Sequence, residues 1–473
     1  MPVFEHVSRY PHPRAEVFAW HTRPGAFVRL TPPGMATLLQ GPSDGINVGS
    51  KITLRISHPL VSGLLPQVSW RGRRGPVGVD WRVRHVELEP GVRFVDEQVS
   101  GPFKAWRHEH EFADGPGGST VITDRVTWEL PVVPDRLAAP LVEMQLAGLF
   151  AFRERQLRAD LALHARLAAR PDAAPLTVAV AGSSGLIGTQ VCALLTSGGH
   201  TVRRLVRSTS ADADAVTWDP GAGHLPADAL AGVDVVVNLA GHSIGGRFTE
   251  RHKEQVLESR LQATGTLAAA LASDPEGKRL VQASAIGIYG ARRPDELLTE
   301  GSLPGEGFLA DVVQQWEAAA LPAVDAGVRT AFLRIGIVLS EGGGALLPQV
   351  PLFSVGLGGR LTRRDAWFSW IGLDDLARAV VHAVATPELT GPVNAVAPRP
   401  VTHGEFAQTL GRVLHRPAML PTPAVGPTAV LGAEGYDQMI DTDQRVSAGV
   451  LADSGFRFAQ HTLSDALRHA LMR

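Results

Sequence analysis

Polar and apolar positions in the first 130 residues alternate with a period of two. Val79, Trp81 and Val83 are interleaved with Asp80, Arg82 and Arg84. Trp106, His108, His110 and Phe112 are interleaved with Arg107, Glu109 and Glu111, and Val126, Trp128 and Leu130 follow the same rule. Strands with one apolar and one polar face predict an antiparallel sheet that is wet on one side. The period then changes. Leu146, Leu149, Phe150, Leu157 and Leu161 recur at helical steps, which predicts one long amphipathic helix closing over the apolar face of the sheet.

Ala168 to Pro175 reads AARPDAAP, a Pro- and Ala-punctuated seam between two periodic segments. Beyond it the pattern is different. TVAVAG, TVRRLVRS, VDVVVNLAG, RLVQASAIGIYG and RTAFLRIGIVLS are apolar runs separated by helical stretches. Such runs predict parallel strands covered on both faces, hence a doubly wound α/β (Rossmann) domain. Three domains are expected: an α+β unit over residues 1–170, the α/β domain over 175–400, and a small, mainly helical unit over 401–473.

Composition narrows the function. The chain has 473 residues and a formal net charge of −2, with Arg spread along it rather than clustered, so no nucleic-acid partner is expected. The lone Cys192 cannot form an intrachain disulfide and reads as a free structural thiol. No apolar run reaches the length of a membrane span, and Glu5, His6 and Arg9 interrupt any leader-like stretch. A cytoplasmic protein is expected. Substrate and oligomeric state have no signature in the pattern. His108 and His110 share one face of a strand, but two histidines without a third ligand are packed or surface side chains, and no metal is expected.

The chemistry begins at the first strand of the second half. Thr177–Ala181 runs into Gly182-Ser183-Ser184-Gly185-Leu186-Ile187-Gly188, followed by a helix carrying Val191, Leu194 and Leu195. Gly182 permits the tight turn, Gly185 lets a pyrophosphate approach the backbone, and Gly188 lets helix and strand pack closely. The helix N-terminus adds free N–H groups and a positive dipole end. The second strand ends at Val206-Arg207-Ser208, where an NAD enzyme would carry an acid ~20 residues past the turn to bond the ribose 2′-OH. Arg207 instead suits a 2′-phosphate. NADP is therefore expected over NAD. Asn238-Leu239-Ala240-Gly241 ends the fourth strand with small residues over which a cofactor can lie. These segments and Ser284 are the expected cofactor-binding residues.

With GSSGLIG, NLAG, SASAIGIYG and LRIGIVLS in this order, residues 177–400 resemble the extended short-chain dehydrogenase/reductase superfamily. More narrowly, they resemble its atypical NAD-dependent epimerase/dehydratase-like branch. Distinctive segments are Asp365-Ala-Trp367-Phe-Ser-Trp370-Ile, Asp374-Asp375-Leu and Gly391-Pro-Val-Asn394-Ala-Val-Ala-Pro398. Gln444-Arg445-Val446 and Gly455-Phe456-Arg-Phe458 resemble the small C-terminal domain of that branch. The layout of residues 3–166, with its opening FEHVSRYPHPRAEVFAW, resembles the START-like, helix-grip superfamily that includes polyketide cyclases. That resemblance implies a cavity between sheet and helix, either open to an apolar ligand or filled by its own Trp and Phe side chains.

The superfamily's acid–base set is a Ser or Thr, a Tyr and, four residues on, a Lys, with the Tyr moving the proton. This chain has three Tyr, and the residues four past Tyr10, Tyr289 and Tyr436 are Arg14, Arg293 and Ile440. Aligned on Trp316-Glu317, Leu309 and Val313 occupy the Tyr and Lys positions, Ala285 the Ser position, and Gln262 the place of a frequent Asn. Replacement candidates are Ser284, Tyr289 and His242, then Ser243, Asp311 and Glu317. Trp367, Phe368 and Trp370 could wall a substrate cleft or pack a core. Three functions follow. The first is an NADP-dependent oxidoreductase or epimerase-like enzyme with non-standard acid–base residues. The second is a non-catalytic NADP(H)-binding sensor. The third is an apolar-ligand carrier acting through the N-terminal domain.

Overall fold

The computed structural model describes residues 1–56, 78–132, 134–210, 212–418 and 420–473. The chain forms two compact units. One comprises Met1–Ala165, Thr196–Gly199 and Met472–Arg473, the other Arg166–Leu195 and His200–Leu471.

In the first unit β1 (Val3–Tyr10), β2 (Ala36–Gln40), β3 (Lys51–Ile56), β4 (Val79–Glu89), β5 (Arg93–Ser100), β6 (Ala105–Asp114) and β7 (Thr120–Glu129) make one antiparallel sheet in the order β1-β7-β6-β5-β4-β3-β2. Helices α1 (Arg14–Thr22) and α2 (Ala26–Arg29) follow β1, and α3 (Asp135–Ala168) follows β7. The period-two reading holds: Trp81, Val83, Trp106, Phe112, Val126 and Trp128 are all buried. So are Leu146, Leu149, Phe150, Leu157 and Leu161 of α3, the stripe expected from its helical spacing.

In the second unit β8 (Thr177–Ala181), β9 (Thr201–Val206), β10 (Ala215–Thr217), β11 (Val235–Asn238), β12 (Arg279–Ala285), β13 (Arg329–Ile335) and β14 (Gly391–Ala395) form a parallel sheet in the order β10-β9-β8-β11-β12-β13-β14. The chain winds outward from β8 in one direction and from β11 in the other. Their carboxyl ends therefore flank the switch point where doubly wound sheets bind ligands. The main helices are α4 (Leu186–Ser197), α5 (Glu250–Ser273), α6 (Phe308–Ala318), α7 (Leu373–Ala385), α8 (His403–Val413), α9 (Val425–Met439) and α10 (Leu463–Ala470).

The tail up to Leu471 lies within the second compact unit. Asp443–Val446 pairs in parallel with Arg292–Leu298. The fully buried carboxylate of Asp375, at the start of α7, accepts from the N–H groups of Ala459 (3.1 Å) and Gln460 (2.8 Å). Asp374 lies 3.1 Å from His469 of α10. The Asp374-Asp375 pair thus fastens the tail.

His382 of α7 and His403 of α8 carry a pH dependence. Burial pushes each imidazole from 6.5 down to about 4. Below pH 6.5 the unfolded chain takes up these protons before the folded one does. Stability is therefore complete above that pH and declines as pH falls toward about 4. Thermal unfolding across this window should show a falling midpoint, and His382→Gln with His403→Gln should flatten it by on the order of 1–3 kcal/mol. An unchanged slope in the double variant would assign the acid sensitivity elsewhere.

Candidate functional site

The Gly-rich turn leaves β8 at the switch point. Gly182 has φ +79°, and a Cβ there would lie 2.6 Å from the carbonyl oxygen of Leu239 on the loop after β11. Only glycine accommodates both demands. Gly185 N–H donates to Gly182 O at 3.0 Å and closes the turn, and Thr189 N–H donates to Gly185 O at 2.9 Å as α4 begins. A Cβ on Gly188 would fall 2.1 Å from Gly182 O, so helix and turn are in backbone contact there. Gly182 thus serves the tight turn and Gly188 the close packing of helix on turn. Ser184 and Gly185 are exposed, Leu186 and Ile187 half-buried, and Ser183 buried, its carbonyl accepting from the Thr189 hydroxyl at 3.4 Å. The first-turn N–H groups of α4 have no intrahelical acceptor, which suits a pyrophosphate.

Three arginines compete at the end of β9. Arg203 Nη1 donates to the carbonyls of Ala229 (2.8 Å) and Ala231 (2.9 Å). Arg204 is held by Asp212 and Asp214, each at 2.7 Å. Arg207 is exposed beside the exposed Ser208, and among the described residues it makes no ion pair. Of the three, Arg207 alone has no hydrogen-bond or ion-pair partner among the described residues, which suits it to an anion.

After β11, the buried carboxamide of Asn238 donates to Thr264 Oγ1 and Gln282 Oε1, both at 3.0 Å, and accepts from Ala240 N–H at 3.1 Å. It shapes the Leu239-Ala240-Gly241 loop from below. Arg260 of α5, which sequence reasoning missed, donates to His242 O at 3.0 Å and lies 4.9 Å over the Trp316 ring. Burial pushes its guanidinium down to about 10.

Leu309 and Val313 of α6 stand beside the turn that follows β12. A Cβ on Gly287 would lie 3.6 Å from Leu309 Cβ and 3.9 Å from Val313 Cγ2. Both side chains therefore face the turn that follows β12. Ser284, Tyr289 and Glu317 are brought together, but inside the fold. Arg334 binds Glu317 through two hydrogen bonds (2.9 and 3.0 Å) and donates to the Tyr289 hydroxyl at 3.1 Å. That hydroxyl donates to Asn394 Oδ1 at 2.7 Å, and Ser284 Oγ donates to Glu317 Oε1 at 2.5 Å. Tyr289 is fully buried, and burial raises its phenol pKa, partly offset by Arg334. As catalytic candidates, Ser284 and Tyr289 are thus placed where their hydroxyls are already committed to protein partners. An Arg near the end of the apolar run RTAFLRIG was the signal for this network.

His242 is exposed on the loop after β11, its ring 5.5 Å from that of His252. Ser243 Oγ accepts from Gly245 N–H at 3.2 Å. Asp311 and Gln262 are exposed, the latter beside the 220–222 turn. Phe368 and Trp370 are core residues packed with Phe406 and Leu410, while Trp367 lies under Arg445 at 4.6 Å. Phe368 and Trp370 therefore pack the core, and half-buried Trp367 does not belong to it. Burial pushes the Cys192 thiol up to about 12, which keeps it protonated and inert.

The first unit has its own cavity. A cavity of about 840 Å³ lies between sheet and α3, lined by apolar side chains such as Trp81, Trp106, Phe94 and Leu146 and by a few polar ones. The Trp and Phe side chains line this space and do not fill it. Among the described residues, no helix is long and apolar enough to cross a membrane.

Residues 178–396 match the NAD dependent epimerase/dehydratase family, 422–470 a domain of unknown function (DUF1731), and 75–161 another (DUF8410). An epimerase family protein of Mycobacterium bovis is 42% identical over 297 residues, covering 63% of this chain and 98% of that protein. The human epimerase family protein SDR39U1 is 34% identical over 298 residues, 62% of this chain and 99% of that protein. The crystal structure of the nucleoside-diphosphate sugar epimerase from Corynebacterium glutamicum superposes with a TM-score of 0.78 at 34% identity, covering all of this chain (100%) and 90% of that one. Human SDR39U1 (isoform 2) with NADPH superposes with a TM-score of 0.57 at 33% identity, covering 62% of this chain and 98% of that one. With its strand–turn–helix cradle at the switch point and near-complete coverage of these relatives, the chain belongs to the NAD dependent epimerase/dehydratase family.

Proposed function

We propose that the second unit is an NADP(H)-dependent oxidoreductase that works without a Tyr–Lys acid–base pair. The observation that carries this reading is the unpaired Arg207 at the end of β9, one strand from an intact Gly182–Gly188 cradle. The N–H groups opening α4 would hold the pyrophosphate, and Arg207 the 2′-phosphate. The bound nicotinamide supplies hydride chemistry. Leu309 and Val313 wall its neighbourhood with apolar surface and exclude water. Proton exchange then falls to exposed groups on the loop after β11, of which His242 is the candidate. The family relation and the NADPH in the human relative's structure support the cofactor choice.

Arg207→Glu tests the cofactor half. The NADPH Kd should rise ~10–100-fold, the size of a lost charge-assisted contact, while NADH binding holds or improves. An unchanged NADPH-to-NADH ratio would sink the assignment.

The apolar Leu309 and Val313 also favour a second reading, a sensor that binds NADP(H) without turnover. Incubation with NADPH and a panel of carbonyl compounds separates the two. Cofactor oxidation supports the enzyme. Its absence, together with unequal thermal stabilisation by NADP⁺ and NADPH, supports the sensor. The START-like resemblance and the apolar cavity support a ligand-binding role for the first unit. Native mass spectrometry of the full chain should then find a co-purified apolar molecule.

A further inference from the structure

The apolar cavity of the first unit ends on a polar floor that the sequence pattern does not explain. Asp96 of β5 faces His108 of β6 in the sheet register, and His110 faces Asp124 of β7. All four point to the inner face, where apolar residues are expected. Asp96, His108 and His110 line the cavity. Asp124 binds the two imidazoles from the other side, with Oδ1 3.1 Å from His108 Nε2 and 2.7 Å from His110 Nδ1. This leaves His108 Nδ1 and His110 Nε2, each 3.5 Å from Asp96 Oδ2.

That separation is long for a good hydrogen bond. It is close to the ~3.3–3.4 Å edge between ligands around a tetrahedral ion with bonds of ~2.0–2.1 Å. One ligand atom from each of the three residues lies within 4.8 Å of the others. A carboxylate behind each imidazole is the outer partner that fixes the tautomer of a metal-bound histidine. We propose that Asp96, His108 and His110 bind a borderline divalent metal such as Zn²⁺, with its open positions turned into the cavity toward the anionic oxygen of an apolar ligand.

Two further observations support this. His85, opposite Asp96 on β4, is 6% exposed, lines the cavity, and its Nδ1 has no hydrogen-bond partner. A buried unpartnered nitrogen beside the site is ready for a ligand atom. Charge also fits. With neutral imidazoles, the two carboxylates and the neighbouring Arg153, which also lines the cavity, sum to −1. A divalent ion makes this +1, and one anionic donor neutralises it. The apolar walls suit the rest of such a ligand. The ligand half rests on the reading that the cavity takes an apolar molecule, whereas metal binding does not.

Untagged full-length protein, stripped with chelator, is titrated with Zn²⁺ by calorimetry and with Co²⁺ by visible absorption. One equivalent should bind, and Asp96→Asn and His110→Ala should each abolish it, with circular dichroism checking the fold. Asp124→Asn should weaken binding ~10–100-fold. Zinc-edge absorption on the unaltered protein needs no variant and should read imidazole nitrogens at ~2.0–2.1 Å. Decanoate should shift the Co²⁺ bands where acetate does not. No stoichiometric binding, undiminished binding in the folded variants, or an oxygen-only zinc shell overturns the metal site. Bands unmoved by decanoate overturn the ligand class alone.

Discussion

Gly188→Ala should abolish NADP(H) binding, raising the NADPH Kd on the order of 100-fold or more. The added Cβ would lie 2.1 Å from Gly182 O, 2.9 Å from Gly182 C and 2.9 Å from Ser183 Cα. All three are backbone atoms of the turn, so no side chain can rotate away. Helix α4 must move off the turn, and its N–H groups move with it. A misplacement of ~1 Å in such a seat costs ~10²-fold. Overpacking adds ~1–3 kcal/mol of lost stability. Gly265→Ala is the control. Gly265 lies in α5, and a Cβ there meets nothing within 4 Å. The same substitution should stabilise it by ~0.5–1 kcal/mol and leave NADPH affinity unchanged. Calorimetric titration of both variants checks the pair. Wild-type affinity in Gly188→Ala would mean that the cofactor does not sit on this turn.

Arg334→Met should destabilise the second unit by ~3–5 kcal/mol without moving NADPH affinity by more than about threefold. The Arg334 side chain is 9% exposed and that of Glu317 17%, so removing the guanidinium strands a largely buried carboxylate. Burial opposes the charge on Arg334, but the Glu317 partner more than compensates and raises its pKa. The substitution also removes the donors to Tyr289 Oη and to Glu300 O. At ~2–4 °C per kcal/mol the thermal midpoint should fall roughly 6–20 °C. Tyr289→Phe removes a single hydroxyl and should cost ~1 kcal/mol. These expectations treat Ser284, Tyr289 and Glu317 as parts of one structural network. A variant set with unchanged midpoints and lost NADPH turnover would return Tyr289 and Ser284 to the chemistry.

Contiguous features were legible in the sequence. Strand, glycine turn and helix follow one another from Thr177 to Ser197, so each glycine's task could be read from its place. The inner faces of β4, β6, β7 and α3 were equally legible, because period two and period 3.6 mark which side is dry. That no Tyr is followed four residues later by a Lys needed only a count of residues. What the pattern cannot carry is partnership across chain-distant elements. Periodicity says that His108 and His110 face inward. It does not say that the register of β5 on β6 brings Asp96 to meet them, so two histidines without a third ligand became a three-residue cluster only in the fold. Ser284, Tyr289 and Glu317 looked available for proton transfer until Arg334, arriving on β13, joined them in the interior. The tail from 401 to 473 likewise reads as its own unit along the chain, and it is Asp375 and the strand at Asp443 that bind it to the sheet domain. Sequence alone determined the local machinery for a dinucleotide, because that machinery is built from neighbours in the chain. Tertiary structure decided which polar groups are spent on one another and which are free, because that depends on strand register and burial.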